Sequence, residues 1–351
     1  MASFFDAPIS DDYFFVNAPC CRTRREATLY YLHNTHFVEL QPPTDTPVEV
    51  LHQIAHPFSM GSVTDRQIVI QIDGDIRKSV RIGRSNLSAE KSSLELVRAR
   101  TSIPVPFIHQ YYLSADYEHL VMSKMPGVTL ETAWPMLSPH EREFIADEVV
   151  SLIRQLRTLH SPHIQAALLQ RQPLRAGIKN STEFNMERIK DYLWDQRITD
   201  YIRHRSIAVT DEPNVFTHGD LDWGNIMITD KRVSGIIDLE SSGYFPAYWE
   251  WVTVKRLSQG LPSGSWFRLL EQRLRKEKLS GWDGMWEVEK LISALDSHSQ
   301  WALTPEDRER NRVKGWAEVG EILGVSIGDP PPVTYVVASQ HPWWLELVNQ
   351  R

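Results

Sequence analysis

Apolar positions along this chain change their period near the middle. Between Pro57 and Gly83 they read as strand. "RQIVIQI" is rich in β-branched residues, "DGD" makes a hairpin turn, and "RKSVRIG" supplies the partner strand. In "SAEKSSLELVRART", Leu94 and Val97 stand three apart, which predicts a helix. "TSIPVPFIHQYYL" places prolines at alternate positions, so the chain runs extended there into a strand. "HLVMSKMPGVTL" is a further strand that breaks at Pro126-Gly127, and that break divides residues 1–125 from residues 126–351. Beyond it the text turns helical. Ser138, Pro139 and Glu141 form a capping box with proline at the first helical position. Ile145, Val149, Leu152, Leu156 and Leu159 then run down one face. Further helices are expected over 181–195, 247–258, 264–278, 284–296 and 305–323, the last opened by "TPED". Residues 22–40 begin helical, and "QPPTDTPVEV" reads as a proline-rich loop. The order is a small β-rich lobe followed by a larger helical lobe, interrupted by one strand-rich insert at 215–243.

Composition narrows the classes of partner. At 351 residues the chain exceeds the size at which single cores stop growing, so two lobes or domains are the default. Its 42% hydrophobic and 24% charged residues are ordinary for a globular protein. A net charge of −7, without a basic cluster interleaved with aromatics, argues against nucleic acid and leaves room for a small anionic ligand. Cys20 and Cys21 are adjacent, a poor staple and too few for a zinc site, so a reducing compartment fits. The N-terminus lacks a basic n-region, so no signal peptide is expected, and no apolar run reaches membrane-spanning length. A cytoplasmic protein with no membrane partner is the expectation; oligomeric state is not legible.

The insert "VFTHGDLDWGNIMITDKRVSGIIDLESSG" carries the chemistry. Ile226, Ile228, Val233 and Ile236 read as two strands joined by a turn at "TDKR". Such a hairpin brings Asn225 and Asp238 close, and both offer the oxygen atoms a hard divalent cation prefers. Asp220, at the tip of the preceding loop, points at whatever lies in front of that cation. One free carboxylate before a metal held by Asn and Asp is the arrangement phosphoryl transfer uses, and the spacing of His218, Asp220 and Asn225 matches the catalytic-loop pattern of that class.

On these residues the chain resembles the aminoglycoside phosphotransferase (kinase-like) superfamily. "HGDLDWGN" is similar to its catalytic loop and "IIDLESSG" to its metal-binding segment; "RTSIPVP", "VMSKMPGVTLETAW" and "SSGYFPAYWEW" resemble a fungal-type branch. The resemblance covers about Pro57 to Arg256. It implies a two-lobed α+β protein-kinase-like fold: 1–125 as an N-lobe with an N-terminal extension, 126–351 as a C-lobe with the catalytic loop and acceptor pocket. It further implies Asp220 as catalytic base, His218 as a brace of its loop, and Asn225 and Asp238 as ligands of Mg²⁺, with Glu240 as an added or second-metal contact. ATP would lie with its adenine on backbone groups of Ser123 and Met125, with Met122 behind it. Glu90 would pair with the phosphate-binding cation.

The pattern departs from the family in two places. The strand lysine falls by alignment on Arg81, in "SVRIG"; strand alternation sets Ser79 and Arg81 opposite the face of Val80 and Ile82. A shifted register would give the role to Lys78 instead. The phosphate-covering loop "FSMGSVTDRQ" has one glycine, so Gly61 and the Ser62 hydroxyl would have to serve the phosphates. Most tryptophans lie after residue 222 and read mainly as core of packed helices. Trp223, inside the catalytic loop, and Asp222 beside it are the candidate acceptor contacts, suited to a cationic or aromatic hydroxyl compound. The leading expectation is ATP- and Mg²⁺-dependent phosphoryl transfer to a hydroxyl of a small molecule. The alternatives are a silent kinase-like binding protein, favoured by Arg81, and a kinase-like fold reused for another reaction on a natural product.

Overall fold

The computed structural model describes residues 49–55, 64–70, 74–81, 87–114, 117–166, 177–192, 195–277, 281–296 and 305–330. The helix and loop expected over 22–48, the phosphate-covering loop with Ser62, and the side chain of Arg81 lie outside them. Residues 1–288 form one compact unit and 289–351 a second.

The β-rich lobe is an antiparallel five-stranded sheet. Its strands are β1 (Glu49–Ala55), β2 (Thr64–Ile70), β3 (Ile76–Arg81), β4 (Ile108–Leu113) and β5 (Tyr117–Met122), in the order β1-β2-β3-β5-β4. Helix α1 (Leu87–Arg100) connects β3 to the extended segment before β4. Val80 of β3 packs with Leu87, Leu94 and Val97 of α1 and with Leu120 and Met122 of β5. The same cluster takes in Leu156, Phe216, Ile236 and Leu239, so one core continues across the Pro126-Gly127 break. Each of these side chains contributes roughly 1.5–3 kcal/mol by leaving water.

The break itself is stitched by backbone. Strand β6 (Val128–Thr129) pairs with β10 (Ile226–Thr229), which pairs in turn with β11 (Arg232–Ile236). Ile236 N–H donates to the Pro104 carbonyl, 3.1 Å away. At Gly235 a Cβ would stand 2.2 Å from the Met125 side chain and 2.7 Å from the Pro104 carbonyl, so only glycine permits this approach. Asp230 and Lys231, with φ of 50° and 61°, make the left-handed two-residue turn that a tight hairpin needs.

The helical lobe opens with α2 (Leu130–Ala133) and α3 (Pro139–Leu156). The capping box at Ser138 and Glu141 is present in both directions, with Pro139 at the first helical position. Short strands β7 (His160–Ser161), β8 (Gln165–Ala166), β9 (Asn214–Thr217) and β12 (Gly243–Pro246) form a second small sheet, ordered β7-β9-β12-β8. Helices α4 (Ser181–Arg188) and α5 (Gln196–Ser206) replace the single helix expected over 181–195. The chain turns between them, and Asp195 caps α5 by accepting from Arg197 N–H. Then come α6 (Trp249–Ser258), α7 (Trp266–Leu274), α8 (Trp282–Leu295) and α9 (Pro305–Leu323). No helix among the described residues is long and apolar enough to cross a membrane.

Candidate active site

The site gathers where β9, the hairpin β10–β11, β3 and α1 converge. Strand β9 is buried at every position and delivers the chain into the turn His218-Gly219-Asp220. Gly219 has a φ of 78°, and a Cβ there would lie 2.5 Å from the Ser241 carbonyl. The turn therefore needs glycine twice over, for its torsion and for its clearance.

His218 is fully buried. Its Nε2 lies 3.2 Å from the Ile237 carbonyl and its Nδ1 accepts from Asp220 N–H at 3.3 Å. This pattern requires the proton on Nε2. The imidazole thus ties the catalytic turn to the end of β11, the bracing role expected from sequence. Asn225 Nδ2 donates to the Asp220 carbonyl at 2.8 Å and to Asp220 Oδ2 at 3.1 Å. Its N–H bonds in the turn to Asp222 O, and its own carbonyl accepts from Ile237 N–H at 2.9 Å. The amide orientation leaves Oδ1 as the Asn225 atom with ligand chemistry.

At the end of β11, Asp238 adopts φ 64° and ψ 65°, a left-handed backbone that L residues seldom take. Its carboxylate contacts Lys78 Nζ at 2.9 Å. Glu240 reaches the same nitrogen at 2.9 Å, and Glu90 of α1 reaches it at 2.6 Å. Ligand atoms of Glu90, Asp238 and Glu240 all lie within 4.8 Å of one another. Three carboxylates around one ammonium leave excess negative charge, and hard oxygen donors in that number suit Mg²⁺.

Glu90 pairs with a β3 cation, Lys78, the residue that a shifted register would give the role; the side chain of Arg81 lies outside the described residues. Alternation along β3 does put Lys78 and Val80 on one face, as read from the sequence. That side faces α1, and it carries both the apolar cluster and, at Lys78, the buried ion pair.

The residues expected at the nucleotide fall at the end of β5 and just after it. Met122 is 6% exposed and belongs to the core cluster. Ser123 N–H donates to the Phe107 carbonyl at 2.8 Å, while Phe107 N–H donates to Ser123 Oγ at 2.8 Å. That leaves the Ser123 carbonyl, and not its N–H, for a ligand. Asp222 caps the short 3-10 turn Trp223–Asn225 by accepting from Gly224 N–H at 2.8 Å. Trp223 is half-buried and meets Trp134 edge-on, with ring centroids 6.1 Å apart. Trp134 in turn meets Trp266, and Arg142 lies over the Trp134 ring.

Sequence reasoning missed Glu250. It lies in the first turn of α6, buried among Trp249, Trp251 and Val252, and accepts from His218 N–H at 2.8 Å and Gly219 N–H at 3.2 Å. Burial pushes its carboxyl above the usual range; the backbone N–H groups of His218 and Gly219 and the charge of Arg157 pull it back. The available signal was a carboxylate set inside "YWEWV", where a solvated charge has no place.

A curated aminoglycoside 3'-phosphotransferase of Escherichia coli is 24% identical over 169 residues, 44% of this chain. The match spans 59% of that relative's length. Among solved structures, a thermostable mutant of aminoglycoside phosphotransferase APH(4)-Ia, in a ternary complex with AMP-PNP and hygromycin B, superposes with a TM-score of 0.55 at 12% identity, covering 82% of this chain and 96% of that one. ADP-bound APH(2'')-Ib gives 0.51 at 12% identity, over 82% of this chain and 95% of that one. The model of the phosphotransferase enzyme family matches residues 61–289, more than half of the sequence, and the chain belongs to that family.

Proposed function

We propose that this protein is an ATP- and Mg²⁺-dependent kinase of a small molecule, transferring the γ-phosphoryl group to a hydroxyl. The observation that carries the reading is the convergence of Lys78, Glu90 and Asp238 in one ion-paired cluster, with the loop of Asp220 and Asn225 tied to its edge by the Ile237 N–H bond to the Asn225 carbonyl. In this reading Asp220 accepts the proton of the acceptor hydroxyl as its oxygen bonds to phosphorus and ADP leaves. The Asn225 amide fixes the orientation of that carboxylate. Lys78, steadied by Glu90, turns to the nucleotide phosphates. Asn225 Oδ1, Asp238 and Glu240 are the residues that would hold Mg²⁺, which when bound neutralises phosphate charge. The Ser123 carbonyl and the Met125 backbone are proposed for the adenine, Ser62 for the phosphates, and Trp223 with Asp222 for the acceptor.

The chain divides at 125/126 into the two lobes of such an enzyme, and a cytoplasmic setting fits its two adjacent cysteines. The hinge text and "SSGYFPAYWEW" support the fungal-type branch. A silent binding protein drew its support from arginine at the lysine position; Lys78 beside Glu90 supports the enzyme reading instead. The test is a calorimetric titration with ATP and Mg²⁺, followed by transfer of labelled γ-phosphate across a panel of hydroxylated small molecules, aminoglycosides included. Binding with transfer to at least one acceptor, abolished in Asp220→Asn, is the expected result. Absence of Mg²⁺-dependent ATP binding would overturn the reading.

A further inference from the structure

Three tryptophans from separate elements meet beside the catalytic loop. Trp223 opens the short 3-10 turn that ends at Asn225, three residues beyond Asp220. Trp134 closes the C-terminal end of α2, and Trp266 begins α7. Trp266 is 1% exposed, and its indole N–H donates to the Leu221 carbonyl at 2.9 Å. That bond fixes the cluster to the backbone next to Asp220. Trp134 meets Trp223 at 64° and Trp266 at 78°, with ring centroids 6.1 and 6.2 Å apart. Edge-to-face contacts of this kind are favourable beyond the area they bury, and they set the tilt of each ring.

The cluster is buried at Trp266 and open at the other two rings. Trp134 and Trp223 are half-buried. Among the described residues Trp134 is the one aromatic ring in contact with Trp223. The indole N–H groups of Trp134 and Trp223 donate to nothing among the described residues, and neither is sealed from solvent. An indole surface with no ring stacked on it and two idle donors, three residues from the base, suit a flat ring that bears oxygen atoms.

Charge at this shelf selects among acceptors. Arg142, in the first turn of α3, lies 4.8 Å from the Trp134 ring centroid and donates to the Trp134 carbonyl at 2.8 Å. Its Nε is buried without a partner, and among the described residues no carboxylate pairs with it. The cation–π place on Trp134 is thus filled by the protein's own cation, whose charge repels an ammonium group and attracts an anion. Asp222, the acidic group expected to meet a cation, accepts from Gly224 N–H inside its own turn. We propose that the acceptor is a planar aromatic hydroxyl compound without cationic groups, stacked on Trp223 and bordered by Trp134. This rests on the proposed transfer to a hydroxyl and names its substrate class. In that step the acceptor oxygen bonds to the γ-phosphorus, the bond from that phosphorus to the β–γ bridging oxygen breaks, and the hydroxyl proton passes to Asp220 as ADP leaves. A polycationic aminoglycoside has no aromatic ring to stack and faces the charge of Arg142.

The experiment uses the full chain and three probes: 2-naphthol, 6-hydroxy-2-naphthoate and kanamycin. Calorimetry in the presence of ADP and Mg²⁺ reads binding without turnover, and labelled γ-phosphate of ATP reads transfer. Both naphthols should bind at least about tenfold more tightly than kanamycin, with kcat/KM ranked the same way. Trp223→Leu should weaken both naphthols by about tenfold, and Trp223→Phe should recover most of that loss. Arg142→Gln should weaken 6-hydroxy-2-naphthoate by about tenfold and 2-naphthol by no more than about twofold. Tighter binding of kanamycin than of the naphthols would overturn the proposal, and phosphorylation of kanamycin would then leave the proposed function standing. Naphthol binding unchanged in a folded Trp223→Leu variant would overturn it too. If the wild type transfers phosphate to no acceptor, the proposed function fails, and naphthol binding that depends on Trp223 still upholds the aromatic site. If the Trp223 variants do not fold, the ranking of the three probes on the wild type decides.

Discussion

Lys78 is 3% exposed and touches three carboxylates, so its removal has two effects. It leaves Glu90, Asp238 and Glu240 to repel one another, and it takes a cation from the proposed phosphate site. Lys78→Ala should weaken Mg²⁺–nucleotide binding by one to two orders of magnitude, about the worth of one charge-assisted hydrogen bond. Arg81→Ala should leave binding within about twofold, since the Glu90 partner is elsewhere. Calorimetry on the two variants separates them, and the opposite ranking would return the phosphate contact to Arg81. Asp220, Asn225 and Asp238 stand out in the sequence because "HGDLDWGN" and "IIDLE" encode chemistry in fixed short spacings, whereas Glu90 followed from the resemblance alone. Lys78 stayed the second choice to Arg81 because periodicity tells which residues share a strand face, not which partner covers it. The partners of Glu250 were not legible because they are backbone amides 31 and 32 residues away.

At the scale of elements, α3 shows the strongest local code. Ser138 accepts from Glu141 N–H, Glu141 returns the bond to Ser138 N–H, and Lys231 of the hairpin turn binds the same carboxylate at 2.7 Å. Together these hold Glu141 well below its ordinary value, at about 2. Its folded pKa is depressed, so its contribution to stability is present above the unfolded value of 4.5 and fades as pH falls toward 2. Ser138→Ala should lower unfolding stability by about 1 kcal/mol at neutral pH. Denaturant titrations at pH 7 and pH 3 test both, and the Lys231→Ala variant should flatten the acid dependence. Helices α1 and α3 and the hairpin were readable because caps, apolar spacing and turn residues are local. Strands β7, β8 and β12 were not, since two to four residues paired across long sequence distances carry no period. Strand β1 was hidden by the proline-rich text before it. Helix α5 was missed although Asp195 marks its start, because the previous helix was carried through the turn.

For the whole molecule, stability is coupled to pH through the outer face of the five-stranded sheet. His119 is 8% exposed, bridged by Ser79 at Nδ1 and Ser114 at Nε2, and stacked on Tyr112. Burial, reinforced by the charge of Arg77, lowers its pKa from 6.5 to about 4. Between those values the unfolded chain binds a proton that the folded chain refuses, so stability should fall as pH drops from 6.5 toward 4. The loss should amount to about 2–3 kcal/mol at most. Melting temperatures at pH 7.5 and 4.5 should converge in His119→Gln, and an equal drop in both proteins would assign the effect elsewhere. Asp238 sets a different balance. Its backbone conformation suits glycine, whereas a hard cation needs its carboxylate. Asp238→Gly and Asp238→Ala should both lose Mg²⁺-dependent nucleotide binding, yet the glycine variant should be the more stable by about 1 kcal/mol. An alanine variant at least as stable would show that the left-handed torsion is not strained. Conformation and chemistry thus pull this position toward different residues. Under the proposed metal role, a single substitution at Asp238 would silence the enzyme without loosening its fold, which would make inactive descendants of such a sequence easy to reach and easy to retain.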